Sequence, residues 1–214
     1  MRPGTSWRPA QGEPTVTVLL RHGQTPMSVQ KRYAGRSDVP LTDVGVQQAA
    51  AAAKRLASAG LGAIVTSPLL RAVQTAQEVA AVTGAAVVTD DGFRETDFGA
   101  WEGLTFAEVR ERWPAELTAW LADPEVAPPA GESFTDVSTR VTAALHRVLA
   151  DQVGQRVLIV SHVTPIKTLV ATALLAPPAA LYRMHLDVAA LSAIDWYADG
   201  PVVLRSFNDT GHLS

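Results

Sequence analysis

The chain has 214 residues, 47% of them hydrophobic and 18% charged, and a formal net charge of −3. That balance is globular, and it sets aside both a disordered chain and a non-specific nucleic-acid binder, which needs a basic surface to displace counterions. The absence of cysteine removes disulfide frameworks, thiolate metal sites and cysteine nucleophiles together.

Residues 1–14, rich in Pro, Gly and polar side chains, read as a tail or as a linker left from a longer, multidomain protein, and 15–214 as one domain. The tail has no apolar stretch of signal-peptide type. The longest apolar run, around Leu169 to Ala180, is short and broken by Pro177 and Pro178. No membrane contact and a cytoplasmic location are therefore expected. Residues 15–20 (TVTVLL) have the continuous β-branched character of a strand buried on both faces. A helix over about 43–59 follows, with Thr42 as its N-cap. Residues 63–65 are a short strand, and Ser67-Pro68 supply the cap and first-turn proline of a helix to about Val82. Residues 85–89 repeat the buried-strand pattern. Thr105 with Glu108 makes a capping box for a short helix that Pro114 interrupts or restarts, and Ser133 with Asp136 opens a helix to about Asp151. Residues 156–160 are a further strand, Thr164-Pro165 open a helix, and 191–207 read as a hairpin turning at Asp199-Gly200. Alternating strands and helices make the expected fold α/β: a three-layer α/β/α arrangement on a mostly parallel six-stranded sheet with an antiparallel edge strand.

In such a sheet, ligands collect where the carboxyl ends of strands meet helix N-termini. Arg21-His22-Gly23-Gln24-Thr25, then Ser67-Pro68 with Arg71, then Glu95, then Ser161-His162-Val163-Thr164 all fall on that rim. Arg21 and Arg71 each offer a planar fork of donors to a phosphate, and His162, if protonated, adds a charged one. The helix near Thr164 would present free N–H groups, including that of Val163, to an anion. His22 is left as nucleophile, since an imidazole nitrogen attacks phosphorus without a metal and the phosphoramidate formed is labile to water. Glu95 would protonate the leaving alkoxide and then take the proton of the attacking water.

The strings LLRHGQT, AIVTSPLLRAVQTA, ETDFGAWEG and VLIVSHVTPIK, in that order, resemble the histidine phosphatase superfamily, also called phosphoglycerate mutase-like, from Thr17 to the C-terminal hairpin. The resemblance implies that His22 is the phosphorylated histidine, Arg21, Arg71 and His162 the phosphate pocket, and Glu95 the proton donor, with no cofactor and no metal. Many members have an asparagine where this chain has Ser28, a shorter group that reaches phosphate through water. Gln24, Thr25, Gly35 and Val163 are further candidate substrate contacts, and 101–133 would form a helical lid. GRSDVPLTDVG and ETDFGAWEGLTFAEV look most like alpha-ribazole phosphatases and related acid phosphatases. With SHVTPIK and LYRMHLD added, the chain is similar to the acid phosphatase domain that follows ribonuclease H in some actinobacterial fusion proteins.

The implied activity is hydrolysis of a small-molecule phosphomonoester, with no nucleic acid as partner. A phosphoglycerate mutase-type transferase and a non-catalytic phospho-ligand binder stand as alternatives. Seven acids (Glu102, Glu108, Glu111, Glu116, Asp123, Glu125 and Glu132) against Arg110 and Arg112 suggest a lid that repels polyanions, which favours the hydrolase. Trp101, Trp113 and Trp120 would line a mouth suited to a flat, nucleoside-like or benzimidazole-containing leaving group.

Overall fold

A computed structural model describes residues 10–214. The strands are β1 (Thr15–Arg21), β2 (Ala63–Thr66), β3 (Val87–Thr89), β4 (Arg156–Ser161), β5 (Leu191–Trp196) and β6 (Val202–Asp209). They form one sheet in the order β3-β2-β4-β1-β5-β6. The first four run parallel, β5 is reversed against β1, and β6 turns back against β5. The antiparallel pairing foreseen for the hairpin is present, with β5 the reversed strand and β6 outside it.

The helices are α1 (Pro26–Val29), α2 (Asp43–Leu56), α3 (Leu70–Thr83), α4 (Phe106–Arg112), α5 (Pro114–Ala122), α6 (Phe134–Asp151) and α7 (Val163–Ala173). Successive strand residues point to opposite faces. Val157 and Ile159 of β4 therefore pack with Val137, Val141 and Leu145 of α6 and Ile166 and Leu169 of α7. Leu158 and Val160 pack on the other side with Ala52 and Ala53 of α2 and Ala72, Ala76 and Val79 of α3. A strand covered on both sides needs apolar residues at every position, which is why β4 reads as an unbroken apolar run. The run at 85–89 departs from that reading. Only 87–89 pair as a strand, and Val87 and Val88 are 37% and 58% exposed, because β3 is the sheet edge with one neighbouring strand.

Thr42, Thr105 and Ser133 cap α2, α4 and α6 as foreseen, the last two through complete capping boxes, and Pro114 starts α5. Two helix starts differ. α3 begins at Leu70 rather than behind Ser67, whose hydroxyl instead lies 2.7 Å from His162 Nε2 while accepting from Leu69 N–H. α7 begins two residues early, at Val163, with His162 as an N-cap that makes no side-chain cap bond. Both displacements free side chains for the rim.

β1 feeds a crossover towards β2 and β4 feeds one towards β5, so adjacent strands send the chain in opposite directions. A crevice opens at such a switch point. Arg21 and Ser161 are register partners across it, and His22 N–H donates to the Ser161 carbonyl at 3.0 Å. Among the described residues no helix is long and apolar enough to cross a membrane.

Candidate active site

His22 leaves β1 into the crevice. Gly23 behind it presses on the first turn of α2: a Cβ on Gly23 would stand 2.4 Å from the Gly45 carbonyl oxygen, and one on Gly45 would stand 2.1 Å from that of Gln24. Only a glycine pair lets the chain turn so close to the helix. The His22 ring is set by its own neighbour, Nδ1 lying 2.8 Å from the Gly23 carbonyl. A carbonyl can only accept, so the proton is assigned to Nδ1 and the lone pair to Nε2. The His162 ring centroid is 5.1 Å away. His162 Nε2 meets Ser67, while its Nδ1 is buried without a partner.

The arginines arrive from two directions. Arg21 donates to the Leu186 carbonyl at 2.6 Å and keeps a buried, unpartnered Nε. Arg71, on the first turn of α3, is 1% exposed and spends more of its fork than foreseen. It donates to the Ser37, Ala34 and Gly35 carbonyls at 2.7–2.9 Å, so two of its five N–H groups remain, Nε among them. Glu102 grips the same loop from the other side, accepting from Gly35 N–H, Arg36 N–H and the Ser37 hydroxyl. Three unpartnered buried nitrogens (Arg21 Nε, Arg71 Nε and His162 Nδ1) in one neighbourhood are costly unless an anion completes them.

Burial, reinforced by Arg71 and Arg21, holds both His22 and His162 well below the ordinary imidazole value. Burial thus favours the neutral form of His162, against the charged donor foreseen from the sequence. Burial likewise pulls Arg21 down to about 10, still cationic at neutral pH, and lowers Arg71. The nucleophilic lone pair therefore survives into acid. We expect the acid limb of kcat/KM to fall below pH 6.5, the unperturbed value. A pH–rate profile that turns at or above it would show His22 in another environment. Stability carries the same sign. The unfolded chain binds these protons first, so the stability present above pH 6.5 is lost as the pH falls, at up to roughly 3 kcal/mol per unit for two histidines.

Glu95, 7% exposed, accepts from Thr96 N–H at 2.8 Å and from Val163 and Thr164 N–H at 3.0 and 3.2 Å. The N-terminus of α7 is thereby filled by a carboxylate, where a substrate anion was foreseen at Val163. Arg140 fixes the Glu95 segment by donating to the carbonyls of Gly92, Arg94 and Glu95.

In front of these groups lies a cavity of about 430 Å³. Arg21, His22, Thr25, Ser28, Glu95 and Val163 line it, as foreseen, whereas Arg71 and His162, foreseen in the phosphate pocket, are buried behind its wall and do not. Gln24 does not. Its amide oxygen accepts from Thr42 and its N–H donates to Gln48, so it ties the loop to α2. Gly35 does not either, its position being packed against Glu102 and Thr96. Ser28 faces the cavity, but its hydroxyl closes the α1 capping box with Thr25. The acidic lid also fails. Of its seven acids none lines the cavity: Glu102, Glu108 and Glu132 are spent on Gly35, Arg32 and Arg140, and the other four are exposed. Trp101 is core, Trp113 packs against that core, and only Trp120 reaches the cavity, beside Phe98, Phe134 and Tyr182. Arg32, Tyr33 and Lys167 were missed. Lys167 had a signal, lying one turn along α7 from Val163 and Thr164 and so on their face.

A doubly wound α/β fold that brings two arginines and two neutral histidines to its switch point defines an anion-handling domain with an imidazole at its centre. The chain belongs to the histidine phosphatase superfamily (branch 1), whose sequence model matches residues 17–210. It is 51% identical over 208 residues to a bifunctional protein of Mycobacterium tuberculosis, covering 97% of this chain and 57% of that relative's length. The chain thus spans little more than half the length of that relative, whose description as bifunctional fits the fusion foreseen from the sequence. It is 36% identical to a Proteus mirabilis protein assigned as a phosphoglycerate mutase, GpmB, over 92% of this chain and 94% of the other. Among solved structures, an Escherichia coli protein assigned as an alpha-ribazole-5'-P phosphatase superposes with a TM-score of 0.84 at 28% identity, over 92% of this chain and 97% of that one.

Proposed function

We propose that the chain is a metal-independent phosphomonoester hydrolase that works through a phosphohistidine on His22. The observation that carries this reading is the ring orientation of His22, whose proton faces Gly23 and whose lone pair is left free among cationic groups. The non-bridging oxygens of an ester would take up the spare donors of Arg21 and Arg71, with His162 beside them. Nε2 then attacks phosphorus while the bond to the leaving oxygen breaks and Glu95 delivers a proton to that oxygen. Water next attacks the phosphorus, the P–N bond breaks, and Glu95 takes the water's proton. Release of inorganic phosphate from p-nitrophenyl phosphate should survive a chelator and be blocked by vanadate, which resembles the trigonal-bipyramidal transition state. Activity lost to chelator and restored by a divalent ion would overturn the proposal.

The aromatic wall of Phe98, Trp120, Phe134 and Tyr182 supports a leaving group with a flat apolar body, and alpha-ribazole 5'-phosphate is one such ester. Initial rates over a phosphomonoester panel test this, and a clear preference for small sugar phosphates would remove it. A mutase-type transferase is the second reading, favoured by Arg32 and Lys167 on the cavity wall. Labelled phosphoryl passing to an acceptor alcohol faster than to water would select it. A module that only binds phospho-ligands would need neither a nucleophile nor an acid, so His22 and Glu95 favour the hydrolase. Small charged esters are held inside cells, which supports a cytoplasmic site of action and a small-molecule partner.

A further inference from the structure

Phosphate accounts for only part of the positive charge around the cavity. Arg21 and Arg71, both coupled to His22, offer two unit charges to a group that brings about two of the opposite sign. Lys167 is left over. Its side chain is half-buried on the wall formed by Val163 and Thr164, and its ammonium makes one hydrogen bond, to the Leu181 carbonyl at 3.2 Å, of the three it can donate. Among the described residues it has no ion-pair partner. Glu95 makes no ion pair with it, its oxygens being taken by three N–H groups. Arg32, the other cation of this wall, is held by Glu108 at 2.9 Å and by the Gly103 carbonyl at 2.7 Å. Burial without a counter-ion holds the Lys167 ammonium below its ordinary value, with Glu95 opposing. A half-buried ammonium with spare donors facing a cavity is costly unless the cavity's occupant uses it.

We infer that Lys167 is the specificity residue for a second acidic group on the leaving half of the substrate, one that carries a single negative charge, such as a carboxylate. One unpaired cation matches one unit of charge, whereas a second phosphate dianion would need Arg32 released from Glu108. The inference rests on the phosphomonoesterase reading. Alpha-ribazole 5'-phosphate has no such acid, so its turnover should be indifferent to Lys167.

Two matched pairs test the inference: 3-phosphoglycerate against glycerol 3-phosphate, and phosphoserine against phosphoethanolamine. Wild type should prefer the acid of each pair. Lys167→Met, which keeps the apolar stem, should lower kcat/KM for the acids by about 10- to 100-fold, chiefly through KM, and for the partners without a carboxylate by less than about threefold. Lys167→Arg should retain most of the preference. Equal losses on both members, or a wild type without preference, would overturn the assignment. Calorimetric titration of the same pairs into His22→Ala reads Lys167 even where nothing turns over. Discrimination there, with no hydrolysis of any ester by wild type, would reject the hydrolase while leaving Lys167 as the anion contact. No discrimination there would reject Lys167.

Discussion

His22→Ala should leave less than about one ten-thousandth of wild-type phosphate release, since a covalent step without its nucleophile has no partial version. No neighbour can take the place of His22. His162 has its Nε2 on Ser67 at 2.7 Å and is 0% exposed, so that nitrogen is not free to attack. The loss should be one of chemistry rather than of folding. His22 makes one local side-chain bond, to the Gly23 carbonyl, and alanine keeps the backbone bond to Ser161. An unchanged melting temperature beside abolished turnover is the expected pair of results. Base-quenched wild type should also carry a phosphoryl group on His22, because a phosphoramidate survives base and is lost in acid. Residual activity above about one per cent, or label on another residue, would remove the covalent mechanism.

The parts of this site that were legible in the sequence are those set by local chemistry at strand ends. Arg21, His22 and His162 directly follow or end apolar runs, so the period-two geometry of the sheet already placed them together. Glu95 and Arg71 were legible as members of the rim, but their partners were not. Nothing local says that Arg71 spends three donors on carbonyls 34 to 37 positions away, or that Glu95 caps a helix 68 positions on. The acidic count over 101–133 misled for the same reason. Glu102 and Glu132 look like lid charge in sequence, yet each is consumed inside the protein by a loop amide or by Arg140. A charge count measures how many acids a segment carries, whereas substrate repulsion depends on where they point. Ser67-Pro68 failed by an opposite route. The local cap signal was present, but a long-range bond to His162 outbid it, and α3 starts two residues later than it would have.

Glu95→Gln should separate esters by leaving group. Glutamine keeps the shape but supplies no acid, so alkyl esters, whose alkoxide must be protonated as it departs, should slow by about 10² to 10⁴. An activated aryl ester such as p-nitrophenyl phosphate leaves as a stable anion and should slow in that step by less than about tenfold. The structural role of Glu95 predicts a second, separable effect. Its two oxygens accept from Val163, Thr164 and Thr96 N–H, and an amide must turn one NH₂ towards one of those donors. That exchange of an acceptor for a donor at the buried start of α7 should cost about 1–3 kcal/mol of stability. Stability loss alone would scale every ester equally once the folded fraction is corrected by denaturant titration, whereas proton donation would leave a slope against the acidity of the leaving alcohol. A flat series, with aryl and alkyl esters slowed alike, would reduce Glu95 to the cap of α7 and leave the leaving oxygen to be protonated from elsewhere.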